Sequence, residues 1–340
     1  MTVNVSISLI VMALRYSITI PAYKSKFLKE AIDSVLAQTY DDYELVILND
    51  ASPESVREIV QNYEDPHIRY YENEINVGAY NVTDNWNKLL DLANGEFIIC
   101  MGDDDKLAEN CLEEYNKLID LYPDMNIYHG RTYIIDEESD IITIQEDRPD
   151  KESAMSMIWH AFFSGRKQFI GDFLFRTSAL RDVKGFCKLP MARGSDWVTG
   201  ILVAQEKGII NGHIPVFLYR TSNQTITTHT EGEVLVEADI LFRKKVMEFA
   251  QQSCWQGLDL EYSRMLLKQL PQNLYNVVTK TVARDIGLSA NPIGKAFYWS
   301  KQRKHYEISS KQLLTILGLS LLYFIRRIKN INIFRRKAQT

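Results

Sequence analysis

Cysteine is scarce and scattered in this 340-residue chain: Cys100, Cys111, Cys187 and Cys254 form no CxxC pair. Such spacing signals neither a zinc site nor a disulfide framework, and it fits a chain kept in a reducing cytosol. Glycine-rich phosphate loops of the GxGxxG or GxxxxGK[ST] type are missing from the first strand-helix turn, which disfavours a Rossmann or P-loop site. The opening MTVNVSISLIVMAL is apolar but lacks the basic segment of a secretory signal. Met12 is an alternative start, with residues 1–14 read as an N-terminal extension.

What is present describes an ordinary globular chain, 46% hydrophobic and 24% charged, long enough for about two units. Charge is distributed unevenly. From Lys295 onward eleven Lys and Arg face one acid, Glu307, so a net charge of −5 leaves −15 on the residues before it. Short β-branched runs at Tyr16–Ile20, Glu44–Leu48 and Ile68–Tyr71 alternate with helical periodicity at Lys26–Gln38, through Ile59 and Tyr63, and at Val82–Ala93. This alternation predicts a parallel sheet wrapped by helices. Further strands are expected within Ile127–Ile144 and at Phe173–Arg176, with helices at Leu107–Leu121 and Val198–Lys207. Beyond about Thr225 the pattern turns mainly helical.

The segment FIICMGDDD, Phe97 to Asp105, carries the chemistry: a buried strand that ends in three carboxylates. Concentrated negative charge at the mouth of a sheet is costly unless a cation neutralises it. Hard divalent ions, Mn²⁺ or Mg²⁺, bind carboxylate oxygen and complete their shell with phosphates and water, which points to a phosphorylated donor. The competing reading is an acidic turn that caps the next helix. Asp50, in Asn49-Asp50-Ala51-Ser52-Pro53, also falls at a strand end, where α/β sheets gather ligands.

The order of motifs resembles the family 2 inverting glycosyltransferases of bacterial surface-polysaccharide type. SITIPAYKSKFLKEAIDSVLAQTYDDYELVILNDAS is similar to their first strand, helix and second strand, followed by NVGAYN, GEFIICMGDDD and GSDW. The resemblance covers residues 15 to 222 and implies a GT-A fold, a Rossmann-like mixed sheet flanked by helices, with a helical C-terminal extension. The implied organisation is a catalytic domain at 15–225, a helical region at 226–310 and a basic amphipathic tail at 311–340.

By the same resemblance, Pro21, Ala22 and Tyr23 match the segment that cradles a nucleotide base, and Asp50 the acid that accepts a base N–H. Asp103, Asp104 and Asp105 match the DXD motif that bridges metal and donor diphosphate. Asp105 is the expected metal ligand, with Asp103 or Asp104 shared between ribose and metal. Relatives commonly read Asp-Ser-Asp-Asp, whereas Gly102 stands in the first of those places here. Asp196 in GSDW matches the catalytic base, against the alternative of a helix N-cap before Trp197. Trp197, Tyr219, Arg220 and His229 are expected toward the acceptor or a phosphate, and Lys88 stands near the Arg that many relatives carry.

The implied activity moves one sugar from a nucleotide diphosphate donor, by family habit a UDP-sugar, to a glycan or lipid-linked acceptor. Sugar nucleotidyltransferase and non-catalytic glycan-binding readings stay open beside it. Near the C-terminus, the fourteen uncharged residues QLLTILGLSLLYFI would cover about 21 Å as a helix, too short to cross a bilayer. Their basic flanks suit the anionic inner face of a cell membrane, and no nucleic-acid-reading module accompanies them. A helix packed on the catalytic domain, or a homo-oligomer contact, is the alternative.

Overall fold

The computed structural model describes residues 14–222 and 231–337, with side chains to residue 328. The N-terminal extension, Thr225 and His229 lie outside the described residues. The strands are β1 (Tyr16–Ala22), β2 (Tyr43–Asn49), β3 (Ile68–Glu72), β4 (Phe97–Cys100), β5 (Lys106–Leu107), β6 (Ile127–Ile135), β7 (Ile141–Ile144), β8 (Lys151–Glu152), β9 (Phe173–Arg176) and β10 (Ile209–Arg220). Helices α1 (Leu28–Leu36), α2 (Val56–Gln61), α3 (Val82–Leu92), α4 (Cys111–Leu121), α5 (Ala154–Phe163), α6 (Thr177–Asp182) and α7 (Ser195–Ala204) accompany them. Four longer segments close the chain: α8 (Gly232–Ala250), α9 (Gly257–Leu288), α10 (Pro292–Gln302) and α11 (Ser310–Lys337).

The sheet runs β3-β2-β1-β4-β9-β6-β10-β5. Its first four strands are parallel, as the alternation predicted, and β1 and β2 are buried on both faces, as central parallel strands must be. Beyond β4 the sheet is mixed: β9 is antiparallel to both neighbours, while β6 and β10 run parallel. The mixed sheet implied by the resemblance is what forms: the parallel alternation ends at β9, which reaches the sheet after an excursion through β7, β8 and α5 instead of a simple crossover helix. Strand β1 continues past Pro21 because its pairing with β4 ends at Thr19; from there only β2 flanks it.

Two apolar layers sandwich the sheet. One packs α1, α2 and α4 against β1, β2 and β4 through Ile32, Val35, Val60 and Leu112. The other packs α3, α5, α6 and α7 on the opposite face, and α8 and α9 extend it through Phe242, Val246 and Leu266. A separate cluster joins α8 and α9 to α10 and α11 around Trp299, Val282 and Ile316. The helical C-terminal region is therefore packed on the sheet domain through α8 and α9.

Candidate active site

Residues 101–105 connect β4 to β5, and the two-residue strand β5 pairs antiparallel with β10, turning the chain back at the carboxyl end of the sheet. Leu107, expected to open a helix, instead belongs to that strand. The turn buries Asp103 and Asp105 and leaves Asp104 half-buried. Asp103 Oδ2 accepts hydrogen bonds from the amides of Tyr23 and Lys24, each 2.7 Å, and so ties the loop to the end of β1. Asp105 Oδ1 accepts from the Arg220 amide at 3.0 Å and Oδ2 from the Gly102 amide at 3.2 Å. A Cβ at position 102 would stand 2.9 Å from both Asp104 Oδ1 and Asp105 Oδ2. Glycine there lets the two carboxylates fold over the backbone.

Burial pushes the Asp103 carboxyl up to about 6, with the Asp104 charge adding to the rise. Asp105 is raised well above the ordinary carboxylate range by burial and by Asp104, and Asp104 is raised by burial, with Lys24 and Arg220 opposing. The loop thus carries negative charge that the protein compensates only in part, and its donors are all hard oxygens. Among the described residues no group of three or more His, Cys, Asp or Glu side chains converges to hold an ion unaided. The donor set fits an open Mg²⁺ or Mn²⁺ site that takes further ligands from phosphate and water.

The neighbouring strand ends meet this loop. Pro21 and Ala22 close β1, and Tyr23 follows, 42% exposed as a residue, with its carbonyl accepting from Ser52 Oγ. Asp50, buried after β2, donates its amide to the Ala22 carbonyl at 2.9 Å. Its Oδ1 accepts from Asn73 Nδ2 at 2.7 Å and the Val77 amide at 3.0 Å. Lys88 Nζ in turn donates to Asn73 Oδ1 at 2.6 Å, so Lys88 reaches Asp50 through one side chain. Two buried carboxylates, Asp50 and Asp103, therefore bracket the segment Pro21–Lys24.

Asp196 enters from the other side of the fold. Helix α7 begins one residue earlier than the aspartate, and its N-cap is Gly194, held at φ +82°. Asp196 is thus in the first turn, not the cap, where the Trp197 backbone amide favours its charged form. Burial nevertheless pushes its carboxyl up to about 8, and the Asp172 charge contributes to the rise. Burial raises the Tyr219 phenol to about 12, with the charges of Asp105, Asp104 and Asp196 adding to the rise. Its ring stacks on Phe169 at a centroid distance of 3.8 Å. Trp197 packs edge-on against Phe162 and Phe242.

Arg220 differs from the expectation of an acceptor or phosphate contact. Its guanidinium is buried and spends its donors on Asp104 O, Asp136 O, Glu137 O, Ser139 Oγ and Glu30 Oε2. It also lies 4.2 Å over the Phe27 ring. Its position organises the aspartate loop from behind.

Sequence reasoning passed over a buried polar group behind Asp196. Asp172 Oδ2 accepts from Gln145 Nε2 at 2.8 Å and the Phe169 amide at 3.1 Å, with His129 Nε2 3.5 Å away. Burial, then the nearby Arg148, keeps His129 below its usual pKa and so neutral. The available signal was an acid inside the otherwise apolar run Phe169–Phe175. Arg193, Asp239 and Arg243 were missed as well: Asp239 Oδ1 accepts from Arg193 Nε at 3.0 Å and Arg243 Nη1 at 2.8 Å, anchoring α8 beside Gly194.

Residues 17–185 match the glycosyl transferase family 2 profile. The chain belongs to glycosyltransferase family 2. Glycosyltransferase GlyG of Streptococcus pneumoniae is 26% identical over 284 residues, covering 78% of this chain and 91% of that protein. Three other curated relatives are matched over only 36% to 53% of their own length. S. aureus TarS 1–349, solved with UDP-GlcNAc, superposes with a TM-score of 0.63 at 15% identity over 91% of each chain. Mannosyltransferase PcManGT of Pyrobaculum calidifontis, solved with GDP-Man and Mn²⁺, gives 0.53 at 14% identity over 92% of this chain and 87% of that one. These likenesses establish the GT-A fold of this family 2 chain.

Proposed function

We propose that this chain transfers one sugar from a UDP-sugar to a hydroxyl of a glycan or lipid-linked acceptor, with inversion, in surface-polysaccharide assembly. The observation that carries the reading is the aspartate loop at the carboxyl end of the sheet, tied to the end of β1 through the Tyr23 and Lys24 amides and to the end of β10 through the Arg220 amide. The solved neighbours with UDP-GlcNAc and with GDP-Man and Mn²⁺ support a nucleotide-sugar donor and a divalent ion.

In this reading Pro21, Ala22 and Tyr23 cradle the base, with the exposed Tyr23 ring stacking on it. Asp50 accepts a ring N–H, and its bonds to Asn73 and Val77 keep the carboxylate fixed. Asp103, already bonded to the cradle's amides, positions the ribose. Asp104 and Asp105 would hold Mn²⁺ or Mg²⁺, which when bound stabilises negative charge on a leaving diphosphate. Asp196 takes the proton of the acceptor hydroxyl as its oxygen bonds to the anomeric carbon and the bond to diphosphate breaks. Trp197 and Tyr219 line the acceptor side. A cytoplasmic chain on the inner face of the membrane would meet such an acceptor there.

Asp196 is an effective base only when ionised. With its carboxyl raised to about 8, the free enzyme gains active form as pH rises through that value. The test is a panel of sugar nucleotides with wild type and Asp196→Asn, scored for transfer, donor hydrolysis and pyrophosphate. Transfer by wild type alone is the expected result. Pyrophosphate release would identify a nucleotidyltransferase, and silence from both proteins a glycan-binding module.

A further inference from the structure

Helix α11 carries apolar side chains on two faces. Toward α9 it presents Gln312, Ile316 and Ser320, which are 5%, 0% and 7% exposed, with Tyr323 beside them. Gln312 Nε2 donates to the Tyr275 carbonyl and to Thr279 Oγ1, both at 3.2 Å, and Gly287 of α9 lets the Ser320 backbone approach closely. The opposite stripe carries Leu314, Leu317, Leu321, Ile325 and Ile328, spaced three or four residues apart and 38% to 72% exposed. The inner face also takes the partly buried Leu313 and Leu319, so the helix already has an apolar side to pack on α9. The outer stripe is a second apolar face, left uncovered over about 21 Å.

Charge says what covers the stripe. Lys311 stands at its start and Arg326 and Arg327 toward its end, and the sequence adds Lys329, Arg335, Arg336 and Lys337. No Asp or Glu follows Glu307. Pairing this face with a second copy would bring two acid-free, basic segments together, whereas an anionic surface neutralises them. No helix among the described residues is long and apolar enough to cross a membrane. We infer that the outer stripe of α11 lies in the interface of a bilayer rich in anionic lipid, holding the enzyme on its surface. The inference goes beyond the proposed reaction and stands without it.

The test is sedimentation of the full chain with vesicles of phosphatidylcholine alone or mixed with phosphatidylglycerol. Binding is expected to the mixed vesicles, weaker on neutral ones by about fivefold for each basic side chain engaged, and weaker as salt rises. Leu317→Gln with Leu321→Gln should lower mixed-vesicle binding by at least about tenfold, because two inserted leucines are lost. Both sites face outward, so circular dichroism should be unchanged. Arg326→Glu provides an independent arm that leaves the apolar stripe intact and should also weaken binding. Equal binding by wild type and the leucine variant overturns the inference. So does absence of vesicle binding, including the case of a concentration-dependent dimer that the leucine substitutions abolish.

Discussion

Asp196 stands where two opposing influences meet: a helix start that favours its charge and burial near Asp172 that disfavours it. Asp196→Asn keeps the shape and removes the proposed base, so transfer is expected to fall by about 10²–10⁴-fold while donor affinity stays within about twofold. Steady-state kinetics with a donor-binding titration checks this split. The same carboxyl leaves a mark on stability. Unfolded, it loses its proton near pH 4; folded, it keeps it until about 8. Across that window the native state binds the extra proton, so stability is highest at the acid end and falls as pH rises. Asp196→Asn removes this contribution, and its melting temperature should gain on wild type between pH 5 and pH 8. Asp103 and Asp105 contribute the same slope to both proteins, so calorimetry of the pair isolates Asp196. A gap that does not change with pH contradicts the assignment.

Element by element, the site depends on short connections that aim long elements. Gly194 is a hinge of this kind: its φ of +82° disfavours a side chain, and a Cβ there would lie 2.5 Å from the Phe242 ring. Gly194→Ala should destabilise the fold by about 1–3 kcal/mol in urea unfolding and lower activity beyond the loss of folded protein, because the start of α7 must move. Strands β2 and β4, and Phe173–Arg176 as a unit, were legible in the sequence because β-branched and aromatic runs bounded by turn residues admit few other readings. Strand β5 was not: two residues carry no periodicity, and only pairing with β10 makes Lys106 and Leu107 extended. The direction of β9 was equally hidden, since a strand's own residues do not encode the sense of its neighbours.

At the scale of the whole molecule, the acidic body and the basic tail visible in the sequence are joined by α8 and α9, which pack both on the sheet domain and on α10 and α11 around Trp299. The candidate site gathers acids at the carboxyl end of the sheet. The roles of Asp50, Asp103–Asp105 and Asp196 belong to the proposed function, but their positions, at strand ends or a helix start, were legible from recognisable flanks. The buried partners that set their properties, Asp172, His129 and the inward-turned Arg220, were not, because they act across sequence separations that only the mixed sheet closes. The aspartate loop is held by β1, by β10 and by its own turn, so the proposed metal dependence is tested on the whole chain. The most direct measurement is calorimetric titration of the chain with UDP-sugars, in Mn²⁺ and then in EDTA. Saturable binding in Mn²⁺ that EDTA abolishes, and that Asp104→Asn with Asp105→Asn also abolishes, is the predicted result. Binding of equal affinity in EDTA, or unchanged in the double variant, would contradict it.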